Sequence, residues 1–419
     1  MIKPNLVISG PISSRSCYGD RSRALVRSLV EMGTYSIGII DQKHGDSPRT
    51  SFPLEFQDMR ITNLTKHPDV WVQIALPTEF QKVGKYNIGF TAGPETDRVS
   101  PEWIEGVNKM DLVVVPSEHS KQVFERTTYE SKDPNTNQIT KKLSVTAQIE
   151  VLFEGLDLNI FNSATKNCEK IYSALDSIPE KNCYLVSGDW GPGEFTHDHR
   201  DIGGTIRTFI ESFKNKAAKN QPALVVKVSK GSFSLTNREN LLNRIQQIRS
   251  SVETTTQVPN VYLLHGDLTP DEVNALYHHK KIKAMVSFTH GGGYGKSLLE
   301  FGITGKPVIA PNWSGHLDFL SKYGLLLQGN MGPTHESVQN KQAVPEGSNW
   351  YYTDYGYAIG IIKDVDSNYK NHLVKSRKQK QYIKNNFTTD IMTKMLIELV
   401  ENNVPEIKIP ALESLETYE

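Results

Sequence analysis

The feature that most constrains the fold is a series of short, continuously apolar segments separated by amphipathic stretches, met twice along the chain. In the first half the apolar pieces are NLVISG, SIGII, WVQIA, YNIGF, DLVVVPS and IEVLF, interleaved with helical-period stretches such as DRSRALVRSLVEMG and SKQVFERT. These runs are too continuous for a half-exposed antiparallel sheet. Strands covered by helices on both faces read this way, which predicts an open parallel α/β sheet. After a polar stretch near 160–182 the grammar restarts with CYLVSG, ALVVKVS, VYLLHG, AMVSF and PVIAP, alternating with DIGGTIRTFIESFKN, NRENLLNRIQQIRSSV and PDEVNALYHH. Thr269-Pro270-Asp271-Glu272 marks one of the new helix starts: an N-cap Thr, Pro at the first helical position and acids in the first turn.

Two such sets in 419 residues predict two Rossmann-like domains facing a cleft, because a single core stops growing before this length. The expected boundaries are 1–165 for an N-terminal domain, 166–370 for a C-terminal domain, and 371–419 for closing helices that pack back toward the first domain. Function is expected in the loops after the strands. Two segments stand outside the βα pattern. Residues 130–142 (ESKDPNTNQITKK) read as a mobile loop, and 328–357 as a long polar excursion rich in aromatics.

The 47 Lys and Arg balance 47 Asp and Glu, so the chain is not announced as a polyanion binder, and neither half is a basic module. Cys17, Cys168 and Cys183 have neither CxxC spacing nor a neighbouring His, so reduced thiols in a cytoplasmic setting are expected, without structural zinc. The longest apolar runs are strand-sized, so no membrane span is expected. Lys375, Arg377, Lys378, Lys380 and Lys384 cover several faces of a helix, the usual pattern of a solvated surface.

The densest chemical signal is SFTHGGGYGKSLLEFGITGKPVIAPNWSGHLDFL. A strand runs into His290-Gly291-Gly292-Gly293-Tyr294-Gly295, and a helix follows from about Lys296. Glycines let backbone approach a ligand, and a helix start offers unsatisfied N–H donors and a positive dipole end, so the turn suits a diphosphate; a tight strand-to-helix turn is the plain alternative. Gly295-Lys296-Ser297 approaches the P-loop pattern, but His290 stands where its first Gly belongs. Several βα units also precede the turn, which disfavours a P-loop ATPase.

This segment resembles the family 4-type glycosyltransferases of the GT-B fold, whose signature runs approximately H-G-E-G-F-G-x-P-x-x-E, then G-x-P-V-I-A, then G-G/S-H-x-[DE]-F. His290, Gly291, Gly293, Gly295, Glu300, Gly305, Pro307, Val308, Gly315 and His316 match it, with Tyr294 for the Phe. YNIGFTAGPETDRVSPEW, DLVVVPSEHSKQVF, IEVLFEGLDLNIF and VSGDWGPGEFTHDHRDIGG extend the likeness in order along the chain. SGPISSRSCYGD resembles phage-encoded members in particular.

The resemblance implies a nucleotide diphosphate sugar, UDP-linked, as donor, used as substrate with no cofactor and no metal, and a retaining transfer to a hydroxyl. The acceptor is expected to be hydroxymethylated cytosine in DNA, or a surface glycan or lipid-linked sugar. A catalytically silent nucleotide-sugar binding module is the reading from another class. The turn Gly291, Gly292, Gly293, Tyr294 and Gly295, with Lys296 and Ser297, would hold the diphosphate, and Glu300 the ribose, because one carboxylate accepts from both hydroxyls of a cis-diol. Arg200 and Lys230 are candidate phosphate cations, Lys230 being equally a solvated one. Arg15 is a third, from a first-domain loop shaped by Gly10, Tyr18 and Gly19, where a surface Arg with Asp20 capping the helix is the alternative. Glu95 and Asp97 would orient or deprotonate the acceptor unless they form an ordinary Asp turn, and His290, which borders the phosphate turn, is a third catalytic candidate, a structural donor being the plain alternative. Gly292 stands where the family carries an acid that meets the donor sugar. Its loss points to a substitute acid, a sugar with fewer hydroxyls such as a pentose, or lost transfer.

Overall fold

The computed structural model describes residues 3–45, 47–132, 139–164, 168–191, 193, 195–229, 233–254, 257–340 and 342–407. Two six-stranded sheets dominate it. The first has strand order Ser36–Asp41, Asn5–Gly10, Val70–Ile74, Tyr86–Phe90, Leu112–Val115, Gln148–Val151, and every pairing is parallel. The second runs Val261–Leu263, Ala223–Ser229, Cys183–Asp189, Ile282–Val286, Val308–Pro311, Leu325–Leu327, again all parallel. The continuous apolar runs are buried on both faces: Leu112, Val113, Val114 and Val115 are all 0% exposed. Each such side chain contributes about 1.5–3 kcal/mol relative to exposure, which is why these runs do not alternate.

Helix ends follow the local chemistry. Thr269 and Glu272 form a reciprocal capping box at Pro270–His278, and Gly33 ends Cys17–Met32 at φ 71°, where a side chain would be strained. One face of each sheet shares a single core that runs through the crossover residues Leu152 to Phe161. The opposite faces pack on separate cores under their own helices.

The closing helices do cross back. Tyr369–Asn386 packs on Lys296–Gly302 and Leu317–Leu320, and Thr389–Asn403 then lies against Cys17–Met32, with Ser28 Oγ 2.7 Å from Thr393 Oγ1. Backbone bonds from Leu156 N to Phe387 O and from Thr389 N to Leu156 O fasten the return.

Two expectations change. Of residues 130–142, 133–138 lie outside the described residues and the rest are strand: Thr128–Lys132 and Ile139–Ser144 pair antiparallel, where Thr, Tyr, Ile and Leu favour extended backbone. The 328–357 excursion is a hairpin, Gly329–Pro333 with Asn349–Thr353, followed by helix Tyr355–Ser367. Its Trp350 is 0% exposed and stacks on His290 at 5.1 Å, so packing explains that aromatic.

Candidate active site

In the second sheet the strand order reverses between Cys183–Asp189 and Ile282–Val286, and ligand crevices form beyond the carboxyl ends of strands at such a point. The loops leaving these two strands carry Arg200 and the Gly-rich turn. The turn meets the first domain directly. Ser117 Oγ donates to the Gly293 carbonyl at 2.6 Å and Ser120 Oγ at 3.2 Å. A Cβ at Gly293 would lie 1.8 Å from the Ala92 carbonyl oxygen, and one at Gly291 2.2 Å from that of Glu95. These two positions need glycine because backbone from the opposite domain occupies the side-chain space. Gly292 does not: a Cβ there would meet only Arg200 Nη1, at 3.5 Å.

Gly295, at φ 96°, starts helix Lys296–Gly302, and the first-turn amides of Lys296 and Ser297 have no intrahelical acceptor. Glu300 lies one turn further on, 9% exposed, and burial pushes it up to about 7 against the pull of Lys296 and Lys227. Lys296 Nζ reaches across the cleft to Asp20 Oδ2 at 2.9 Å. Burial works against the Lys296 charge, but Asp20, Glu300 and Glu154 outweigh it and hold its pKa above the ordinary value. Asp20 therefore bridges the domains instead of capping its helix; Ser16 is the cap, accepting from Gly19 N at 3.2 Å.

The other expected residues divide into three groups. Arg200 Nη1 donates to Thr289 Oγ1 at 3.2 Å beside Gly292, and Arg15 pairs with Asp267 of the second domain at 2.6 Å, both partners being more than one-third exposed. Gly19 shapes its loop, since a Cβ there would strike the Ser14 carbonyl at 2.1 Å, and Tyr18 OH accepts from Ala92 N at 3.0 Å. Lys230 lies outside the described residues.

Tyr294 and His290 are corrections. Tyr294 is 3% exposed with its ring 5.3 Å from that of Phe319, so it belongs to the core and not to the phosphate turn's ligand face. His290 is 0% exposed, and its two ring nitrogens lie 2.9 Å from the carbonyls of Tyr351 and Thr196. No ring atom is left for a reacting group. Asp97 also serves the scaffold: its carboxylate accepts from Asn349 N at 2.6 Å and Asn349 Nδ2 at 2.8 Å, tying the hairpin to the first domain.

Glu95 keeps a chemical role within reach. His199 Nε2 donates to the Gly291 carbonyl at 2.7 Å, so the neutral ring leaves Nδ1 bare, and Nδ1 faces Glu95 Oε2 at 3.3 Å. A hydrogen bond there needs one further proton. Burial lowers His199 well below its ordinary value and raises Glu95 against the pull of Arg200, so both shifts favour the uncharged forms. The pair joins the two domains.

Three cleft residues escaped the sequence reading, and a fourth, His119 at a helix start, was passed over for His290. Lys227, held below its ordinary pKa by burial, interacts with Asp189, Asp267 and Glu300; a lone Lys inside ALVVKVS was its signal. Asp189 ends its strand without any pattern to mark it. His199 sits beside the expected Arg200. His119, whose buried Nε2 has no bonding partner among the described residues, stands edge-on to Trp313 at 4.7 Å. Among the described residues no group of three or more His, Cys, Asp or Glu is placed to hold a metal ion, and no helix is long and apolar enough to cross a membrane.

No protein-family model matches the chain, and no curated protein sequence matches it. Solved structures do. A glycosyltransferase from Rickettsia africae ESF-5 aligns with TM-score 0.62 at 12% identity, covering 96% of this chain and 99% of that one. HepE of Anabaena, solved in complex with UDP and glucose, aligns with TM-score 0.59 at 9% identity over 95% of this chain and 100% of its own. Sucrose-phosphate synthase from Thermosynechococcus elongatus aligns with TM-score 0.60 at 11% identity over 96% and 99%. The chain thus has the GT-B fold, with both sheets and the returning helices included in the match.

Proposed function

We propose that this protein is a glycosyltransferase that moves a glycosyl unit from a UDP-linked sugar to an acceptor hydroxyl. The observation that carries the reading is Glu300, a nearly buried carboxyl at the reversal point of the second sheet, one turn after a Gly-rich loop that touches the opposite domain. A carboxylate in that place suits the two hydroxyls of a ribose, with the diphosphate over the Lys296 and Ser297 amides and beside Arg200. The UDP and glucose bound to HepE, which shares the fold, support the donor class.

Retention of configuration is the finer reading. Asp97 is engaged by Asn349, His290 by two carbonyls and Glu95 by His199, so none of them stands ready as a base for the acceptor. The departing phosphate can take that proton instead, leaving positioning and charge stabilisation to the protein. The Glu95 oxygen that does not face His199 is suited to accept from an acceptor hydroxyl and orient it.

For the acceptor, hydroxymethylated DNA is favoured by the likeness of residues 9–20 to phage-encoded members. Gel shifts with hydroxymethylated and plain duplexes test it: failure to bind even at low salt removes DNA and leaves a glycan or lipid-linked sugar. The donor reading is tested by calorimetric titration with UDP. Glu300→Ala is expected to weaken binding by about 1–3 kcal/mol, and unchanged affinity would show that the ribose lies elsewhere. Tight UDP binding without release of UDP from any UDP-sugar and acceptor pair would make the chain a silent binding module.

A further inference from the structure

Outside the cleft, on the flank of the second domain, a cavity of about 360 Å³ opens between helices Ile202–Phe213 and Leu235–Ser250, bordered by Trp190, Phe195 and Asp198 from the stretch that leads to Arg200. Its walls combine chemistries that the core does not require. The Arg244 guanidinium carbon stands 4.6 Å from the Trp190 ring centroid, and that of Arg207 5.9 Å from the Phe195 ring. Phe195 is 45% exposed, an aromatic left partly uncovered at the mouth. Arg244 Nη1 has no solvent access and no bonding partner among the described residues. Asp198, 1% exposed and pushed up to about 6 by burial, provides the neighbouring negative charge without an ion pair to either Arg.

A buried guanidinium N–H with no acceptor is a cost that a bound anion removes. The two Arg side chains suit one phosphate. The exposed phenyl of Phe195 beside the Asp198 carboxyl suits the body of a sugar, whose C–H face packs on a ring and whose hydroxyls donate to an acid. We propose that this cavity is a binding site for a phosphorylated monosaccharide, separate from the nucleotide-sugar cleft. The same loop continues into His199, on the Gly291 carbonyl, and Arg200, on Thr289, so occupancy bears on the phosphate turn through a few residues of backbone.

The test is calorimetric titration of the intact chain with glucose 6-phosphate as probe, glucose and inorganic phosphate as controls, and UDP titrated separately. Saturable binding at millimolar or lower concentration is expected, persisting when UDP is present in excess. Arg244→Gln should weaken it by roughly tenfold or more. Gln247→Trp, at an exposed position on the cavity rim, should block it while the protein unfolds as wild type. No saturable binding, binding equalled by inorganic phosphate alone, competition by UDP, or binding unchanged in both variants would overturn the proposal. A chain that ignores UDP would refute the donor reading; the probe's response to the two variants still decides this one.

Discussion

Gly293 offers the sharpest perturbation, because its environment comes from two domains and its alternative neighbour is open. In Gly293→Ala the added carbon would sit 1.8 Å from the Ala92 carbonyl oxygen, whereas side-chain carbons essentially never come closer than 3.0 Å to such an atom. Backbone stands on both sides, so no rotamer relieves the overlap, and the turn must back away from the first domain. Doing so stretches the Ser117 and Ser120 bonds to the Gly293 carbonyl, each contributing about 0.5–1.5 kcal/mol, on top of an overpacking cost of about 1–3 kcal/mol. The variant should therefore lose roughly 2–6 kcal/mol of stability or domain closure. Urea unfolding followed by Trp fluorescence reads the first, since Trp313 lies against Gly291 in the same junction. Small-angle scattering reads the second as a larger radius of gyration. Gly292→Ala is the control: its nearest atom is the movable end of Arg200, so it should unfold within about 0.5 kcal/mol of wild type. If Gly293→Ala matched Gly292→Ala in both measurements, the domains would not close on this turn and the site geometry argued above would fall.

Three further outcomes are expected. Because burial raises Glu300 from 4.5 to about 7, the folded state binds more protons there than the unfolded state between those values, so its share of stability is full in acid and is lost as pH rises to about 7. The loss is roughly 3 kcal/mol, and Glu300→Gln should remove that slope; equal pH dependence in urea unfolding of variant and wild type would contradict it. Asp97→Ala should cost about 1–3 kcal/mol by releasing two Asn349 donors, detected as a lowered denaturation midpoint; Asp97→Ala as stable as wild type but without turnover would return Asp97 to the chemistry. Arg15→Ala should leave stability within about 1 kcal/mol, since its pair with Asp267 is exposed, and a larger drop in thermal unfolding would show a structural role.

The two parallel sheets were legible because burial on both faces leaves its mark in contiguous residues: Leu112 to Val115 need no distant partner to announce a central strand. The Gly-rich turn and Glu300 were legible for a similar reason, since the turn, the helix start and the acid are within a dozen residues of one another. What could not be read locally was direction. Tyr294 and Lys296 are two residues apart in one turn, yet the first points into the core beside Phe319 and the second across the cleft to Asp20. His290 looked reactive until Tyr351 and Thr196 took both its nitrogens, and Asp97 until Asn349 took its oxygens. Lys227 and His199 became cleft residues only once Glu300 and Glu95 arrived from remote parts of the chain.

The amino-acid sequence by itself therefore determined the architecture, the pair of parallel sheets and the position of the Gly-rich turn, all of which rest on interactions within a helix, a strand or the loop between them. Tertiary structure alone decided which side chains face the cleft, which carboxyls burial pushes toward the neutral form and which glycines tolerate no substitution. Those properties depend on desolvation and on atoms that approach from the opposite domain, and neither is encoded in the neighbours along the chain.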